Sequence, residues 1–327
     1  MLRPSPIPNL PNPSNSLTPD PRMPLPSYMQ FLPQDALAKL GRFEVRARGM
    51  MQGFISGRHK SPYKGFSVEF AEHRQYVSGD DLRNLDWRVL GRKDRYYIKQ
   101  YIEETNLRAT LLVDASGSMA YQGDSSAKCY GKNFTKFDYA RHMASMLGYL
   151  LIGQQDAAGL VTFDTQIRKY IPARARTSQV RTILETLEQT EPGGETGMAD
   201  IFHDIAERIP RRGLVIIFSD LYDDPEALIN ALHHFRYRRH EVVLFHIVAD
   251  EEINFPFDRF TKFKDLEVDG NRLPIDPRTI RATYLERMNS FLKKIEAACG
   301  HMKIDYTCMN TNVPYDEALA EHLMKRG

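Results

Sequence analysis

The segment Leu111-Leu112-Val113-Asp114-Ala115-Ser116-Gly117-Ser118-Met119 constrains this chain more than any other. Ala109 to Val113 is an apolar run broken only by the β-branched Thr110, the pattern of a strand buried on both faces. Such a strand belongs inside a parallel sheet covered by helices, and ligands of such sheets bind outside the carboxyl ends of the strands. Asp114 stands at that end. One carboxylate and two hydroxyls, two residues apart, put three oxygens into one loop. Oxygen-only ligands suit a hard octahedral cation such as Mg²⁺, and Mn²⁺ or Ca²⁺ would also fit.

The downstream pattern agrees with a layered α/β fold. Phe137, Ala140, Ala144, Leu147 and Leu151 recur at helical spacing, which predicts an amphipathic helix over Lys136 to Gly153. Strands are predicted at Ala158 to Phe163, Leu214 to Phe218, Val242 to Val248 and Lys303 to Thr307. Between and after them, helices are marked by Val180 to Leu187, Ile201 to Ile209, Ala227 to Phe235, Ile280 to Ala298 and Asp316 to Met324. This alternation implies a mostly parallel sheet with helices on both faces over residues 109–327. Residues 250–279 break the rhythm with Pro256, Pro274 and Pro277, and read as an insertion or edge hairpin with a β-like piece at Asp265 to Val268.

The front of the chain is different. Residues 1–33 hold ten of the 19 prolines and read as a disordered tail. Residues 34–108 carry 15 basic and 10 acidic side chains, and residues 109–327 carry 27 basic and 31 acidic, so a basic segment precedes an acidic domain. The basic segment is expected to contain β-structure and to pack on the main domain. No apolar stretch is long enough to span a membrane, and no charged start followed by an apolar run marks a secretory signal. Three widely spaced cysteines argue against a disulfide framework or a Cys-rich zinc site, which favours a reducing cytoplasm.

Two further loops complete the oxygen set. Pro192-Gly193-Gly194-Glu195-Thr196-Gly197 opens the third helix and adds the Thr196 hydroxyl; Ile216-Ile217-Phe218-Ser219-Asp220 is another strand ending in a carboxylate. Neutral hydroxyls compensate a cation's charge poorly, so a bound ion would attract a carboxylate from outside. Asp114-x-Ser116-x-Ser118 with Thr196 and Asp220 resembles the metal-ion-dependent adhesion site of von Willebrand factor A domains, and the strand–helix order agrees over residues 109–327. The resemblance implies metal contacts from Ser116, Ser118 and Thr196, water-mediated roles for Asp114 and Asp220, and completion by a partner's Glu or Asp. Glu195 beside Thr196 is a departure from that pattern.

A narrower resemblance covers residues 39–325. Gly65 to Phe70, Arg74-Gln75-Tyr76, Gly79-Asp80-Asp81-Leu82-Arg83, Asp86-Trp87-Arg88, the Tyr284 helix and Asp305-Tyr306 are similar to the bacterial family called domain of unknown function fifty-eight. Members are typically encoded beside AAA+ ATPases of the MoxR type. The resemblance implies a chaperone-like adaptor for such an ATPase rather than an enzyme.

The same residues admit other chemistry. A strand ending in Asp114, with Asp220, Asp223 and Asp224 following, resembles haloacid-dehalogenase-type phosphatases, with Asp114 as nucleophile. That chemistry usually needs a second Asp two residues on, where this chain has Ser116. Arg83, Arg88, Arg92, Lys93, Arg95 and Lys99, interleaved with Trp87, Tyr96, Tyr97 and Tyr101, could follow a nucleic-acid backbone. Asp86 and Asp94 interrupt that run, so a solvated or docking face is favoured over nucleic acid. Arg42, Arg46, Arg48, Arg58, Lys60 and Lys64 carry the same ambiguity. Asp80, Asp81 and Asp86 read as a turn paired with arginines around Trp87. His233, His234 and His240 read as surface residues, since neighbours on a helix face different ways.

Overall fold

The computed structural model describes residues 27–35, 68–76, 86–87, 89, 91, 96–103, 107–131, 133–194, 197–209, 212–259, 261–264, 266 and 272–325. Strands β1 (Val68–Gln75) and β2 (Tyr97–Glu103) pair as an antiparallel ribbon with a register shift between Phe70 and Glu72. The main sheet holds β3 (Arg108–Asp114), β4 (Ala157–Phe163), β5 (Ile167–Arg174), β6 (Leu214–Ser219), β7 (Glu241–Val248) and a last strand, Asp305–Asn310. A separate antiparallel hairpin, β8 (Thr261–Lys264) and β9 (Arg272–Ile275), precedes that last strand, β10. The sheet order is β10-β7-β6-β3-β4-β5, with every neighbouring pair parallel except the edge pair β4–β5.

The helices are α1 (Asp124–Tyr130), α2 (Lys136–Gly153), α3 (Thr177–Gln189), α4 (Met198–Arg208), α5 (Pro225–Tyr237), α6 (Asp250–Asn254), α7 (Pro277–Met302) and α8 (Tyr315–Lys325). Side chains alternate across a strand, and on β3 both faces meet helices. Leu111 and Val113 pack with Phe137, Ala140 and Leu147 of α2 on one face, while Leu112 packs with Phe202, Leu232 and Ile295 of α4, α5 and α7 on the other. A strand covered twice must be apolar at consecutive positions, which is why Leu-Leu-Val is continuous. Helix α2 starts sharply because Thr135 and Asp138 cap each other: the Asp138 N–H donates to Thr135 Oγ1 at 2.9 Å, and the Thr135 N–H to Asp138 Oδ2 at 2.8 Å.

Several local expectations change. Residues 1–26 of the Pro-rich stretch lie outside the described residues, but its end is part of the core. Ser27–Phe31 forms a 3₁₀ turn, Phe31 is fully buried, and the Arg141 guanidinium lies 4.8 Å from its ring centre. The insertion holds the hairpin β8–β9; of the piece Asp265 to Val268 only Leu266, a bend, is among the described residues. The last strand begins at Asp305 because Lys303 takes a left-handed conformation, φ 56°, to close α7. Strand β5 has no apolar run to mark it, being half-buried at the sheet edge. Trp87 is 66% exposed. Asp86 is buried, and its Oδ1 accepts the Val89 N–H at 3.2 Å. Asp80, Asp81, Arg83 and Arg88 lie outside the described residues, as do Arg42 to Lys64 and the Arg92 to Arg95 run. No described helix is long and apolar enough to cross a membrane.

Truncating the Phe31 side chain tests whether residues 27–32 belong to the folded unit. Phe31→Ala should lower the unfolding free energy by about 3–5 kcal/mol in a urea titration, the cost of a large buried cavity. A loss under about 0.5 kcal/mol would return this segment to the tail.

Candidate functional site

Parallel register brings the ends of β3 and β6 together. Val113 pairs with Phe218, so Asp114 and Ser219 emerge side by side, followed by Asp220. Asp114 is fully buried. Its Oδ1 accepts the Ser116 N–H at 2.9 Å, and its Oδ2 accepts the Ser219 hydroxyl at 2.6 Å. Burial and the nearby Asp220 charge push its pKa up to about 7, against the lowering effect of the Ser219 and Ser116 hydrogen bonds. The Ser116 and Ser118 hydroxyls lie 3.1 Å apart. Two oxygens on adjacent corners of a Mg²⁺ octahedron are separated by about 2.9 Å, given Mg–O distances of about 2.0–2.1 Å.

The loop before α4 is stitched to the loop after β3. The Gly193 N–H donates to the Ala115 carbonyl and the Gly117 N–H to the Gly194 carbonyl, each at 2.9 Å. Gly194 has φ +88°, a conformation costly for other residues. Gly117 is needed for close approach: a Cβ there would stand 2.5 Å from the Leu266 carbonyl oxygen and 2.8 Å from that of Gly194. The Leu266 backbone, after β8, therefore lies against this loop. Glu195 and Thr196 lie outside the described residues. The structure thus unites Asp114, Ser116, Ser118 and Asp220 and brings the start of the Thr196 loop against them.

A lysine joins the group. Lys136, only 3% exposed, places Nζ 2.7 Å from Asp220 Oδ2 and 2.8 Å from Glu252 Oε1. Burial works against its charge, but the two carboxylates more than offset this and hold its pKa above the ordinary lysine value. Below Asp220, His246 Nε2 donates to the Asp220 carbonyl at 2.9 Å, since a carbonyl only accepts; His246 Nδ1 then accepts from the Tyr306 hydroxyl at 2.9 Å. Burial lowers the His246 pKa to about 4, so the ring is neutral. Leu221, directly after Asp220, is buried with φ 56°, an uncommon conformation for a bulky residue. A cavity of about 380 Å³ opens beside Asp220, with Tyr284, Met288 and Phe291 of α7 among its walls.

Sequence reasoning missed Lys136, although a signal existed. A lysine in the first helical turn opposes the helix dipole and calls for a carboxylate partner. The expectation of a surface His240 is also corrected: it is 1% exposed, packs against Phe235, and burial lowers its pKa. Among the described residues no three His, Cys, Asp or Glu side chains converge as a metal cluster, so any cation here depends on the hydroxyls. The donor set fits that role: two hydroxyls at octahedral spacing, next to a buried carboxylate destabilised by a second one.

Removing the ammonium tests the electrostatics. Lys136→Met should cost about 3–5 kcal/mol in urea unfolding, because Asp220 and Glu252 lose their shared counter-ion. Adding Asp220→Asn should restore at least half of that loss. A cost below about 1 kcal/mol would mean the pair is solvent-screened.

Sequence comparison finds relatives in mycobacteria. Uncharacterized protein Rv1480 of Mycobacterium tuberculosis (strain ATCC 25618 / H37Rv) and uncharacterized protein Mb1516 of Mycobacterium bovis are each 27% identical over 224 residues, 67% of either chain. Among solved structures, an aerotolerance-related membrane protein from Bacteroides fragilis is 13% identical with a TM-score of 0.44, covering 67% of this chain and 99% of that one. The conserved hypothetical protein BatB from Bacteroides thetaiotaomicron is 15% identical with a TM-score of 0.43, covering 67% and 98%. A family profile, described as protein of unknown function DUF58, matches residues 72–291, and the chain belongs to that family.

Proposed function

We propose that this protein is a non-enzymatic, Mg²⁺-dependent adaptor that binds an acidic side chain on a protein partner. The chain resembles von Willebrand factor A domains with a metal-ion-dependent adhesion site, and we place it in the cytoplasm beside a MoxR-type AAA+ ATPase, in the assembly or maturation of other proteins. The observation that carries the reading is the 3.1 Å hydroxyl pair of Ser116 and Ser118 beside the buried Asp114. Ser116 and Ser118 would hold the ion directly, Asp114 and Asp220 through water, and Thr196 from its loop. A bound ion supplies a Lewis-acidic position for a partner's carboxylate.

A phosphohydrolase with Asp114 as nucleophile is the weaker reading. A nucleophilic carboxylate needs an oxygen free to face substrate. Both oxygens of Asp114 are engaged within the fold, and the side chain has no solvent exposure.

Asp114→Asn separates the roles. Asn can accept from the Ser116 N–H and donate to Ser219, so the fold should persist. With a folded pKa of about 7 against 3.8 unfolded, the native state binds more protons between those values, and ionisation costs stability as pH rises through 7. Metal-free Asp114→Asn should therefore be more stable than wild type at pH 8, by roughly 2–4 kcal/mol. Mg²⁺ should raise the melting temperature of wild type alone. The purified MoxR-type ATPase of the source organism should be retained by wild type in Mg²⁺ but not in EDTA. Retention that ignores metal and Asp114 would sink the adaptor reading, and Mg²⁺-dependent hydrolysis of a phosphate ester, lost in Asp114→Asn, would replace it.

A further inference from the structure

Away from the strand ends, α4 and α5 pack together and bring two exposed histidines face to face. The Nδ1 atoms of His203 and His234 are 3.4 Å apart, with ring centres at 4.5 Å and planes at 73°. That separation is at the long end of the range in which one ring nitrogen can hydrogen-bond the other. It equals the spacing of neighbouring nitrogens on a tetrahedral cation, since Zn–N bonds of about 2.0–2.1 Å set them about 3.3–3.4 Å apart; the T-shaped rings need only turn to aim both lone pairs at one ion.

The surroundings point the same way. Glu207 Oε1 stands 3.6 Å from His203 Nε2 and 3.5 Å from Arg238 Nη2. A carboxylate behind a ligating imidazole is a recurring arrangement that fixes the tautomer and raises basicity. Asp200, one turn before His203, and Asp204, next to it, line the same open pocket of about 550 Å³ as His234 and Asn230. Both carboxylates are exposed and can turn about their side-chain bonds.

We propose that His203 and His234 form a transition-metal site, taking Zn²⁺ or a comparable borderline cation, with a carboxylate from Asp200 or Asp204 and water as remaining ligands. Among the described residues no three such groups already converge, so the site closes by rotation of the exposed imidazoles and of a carboxylate. Imidazole selects Zn²⁺, Cu²⁺ or Ni²⁺ over Mg²⁺, so this site is chemically distinct from the hydroxyl–carboxylate site. Its position gives it leverage. Helix α4 begins at Met198, two residues after Thr196, and α5 begins at Pro225, five after Asp220; the Met198 N–H also donates to Asp223 Oδ2 at 2.9 Å. A cation clamping the two helices ties together two of the loops at the strand ends.

The test is a Zn²⁺ titration of the tag-free, metal-stripped full chain by isothermal calorimetry, in millimolar Mg²⁺ so that the other site is occupied by its own ion. Wild type should bind one Zn²⁺ per chain at micromolar concentration. His203→Ala or His234→Ala should weaken that binding at least tenfold, and Glu207→Gln by a smaller factor. Asp114→Asn should leave it unchanged, which keeps this result independent of the adaptor reading. Co²⁺ should give a visible four-coordinate absorption band in wild type that the His203→Ala/His234→Ala double variant lacks. Both histidines are exposed, so these variants keep the fold. Absence of Zn²⁺ binding below about 100 μM, or binding that survives the double variant, overturns the proposal.

Discussion

Two carboxylates leave adjacent strands of one parallel sheet and must be buried there together. Much of the surrounding structure answers that constraint. Like charges in a low-dielectric site cannot both ionise without compensation. Asp220 is met by the Lys136 ammonium, drawn into the interior at the start of α2 and shared with Glu252. Glu252 is itself held by the Ala249 N–H at 2.8 Å, so α6 is fixed by the same network. Asp114 receives no such cation. It is held by a hydroxyl and a backbone N–H, and burial leaves it poised near neutrality. The strained Leu221 turn persists because Ser219, His246 and Asp220 hold the backbone around it.

The layered fold was legible because it rests on periodicity. Continuous apolar runs such as Leu111 to Val113 and Val242 to Val248 mark strands covered on both faces, and the spacing of Phe137 to Leu151 marks the helix that covers them. What escaped notice had weak or purely tertiary signals. Strand β5 is a half-polar edge, α1 and α6 are too short to show a period, and Phe31 sits in a Pro-rich stretch whose composition suggests solvent. The hairpin of the insertion was placed in the right region.

The candidate site was legible to a similar depth. Motif spacing found Asp114, Ser116, Ser118 and Asp220, since a strand end followed by short polar side chains is a local pattern. Lys136 and Glu252 are 116 residues apart in sequence and meet only through the fold. His203 and His234 lie on different helices, and local reasoning compared His234 with its neighbour His233 instead of with the residue across the helix interface.

The charge balance bears on the proposed adaptor role. With all groups ionised, Asp114, Asp220 and Glu252 carry three negative charges, against one on Lys136. A divalent ion would bring this cluster to neutrality. The ion itself, however, would touch neutral hydroxyls, with the aspartates set behind them. Its charge would then be compensated only at a distance, which would favour an added carboxylate ligand. The carboxylate beside the hydroxyls, Asp114, is held through both oxygens. The same immobilisation gives a fixed platform on which a partner's carboxylate can be recognised without reorganising the loop.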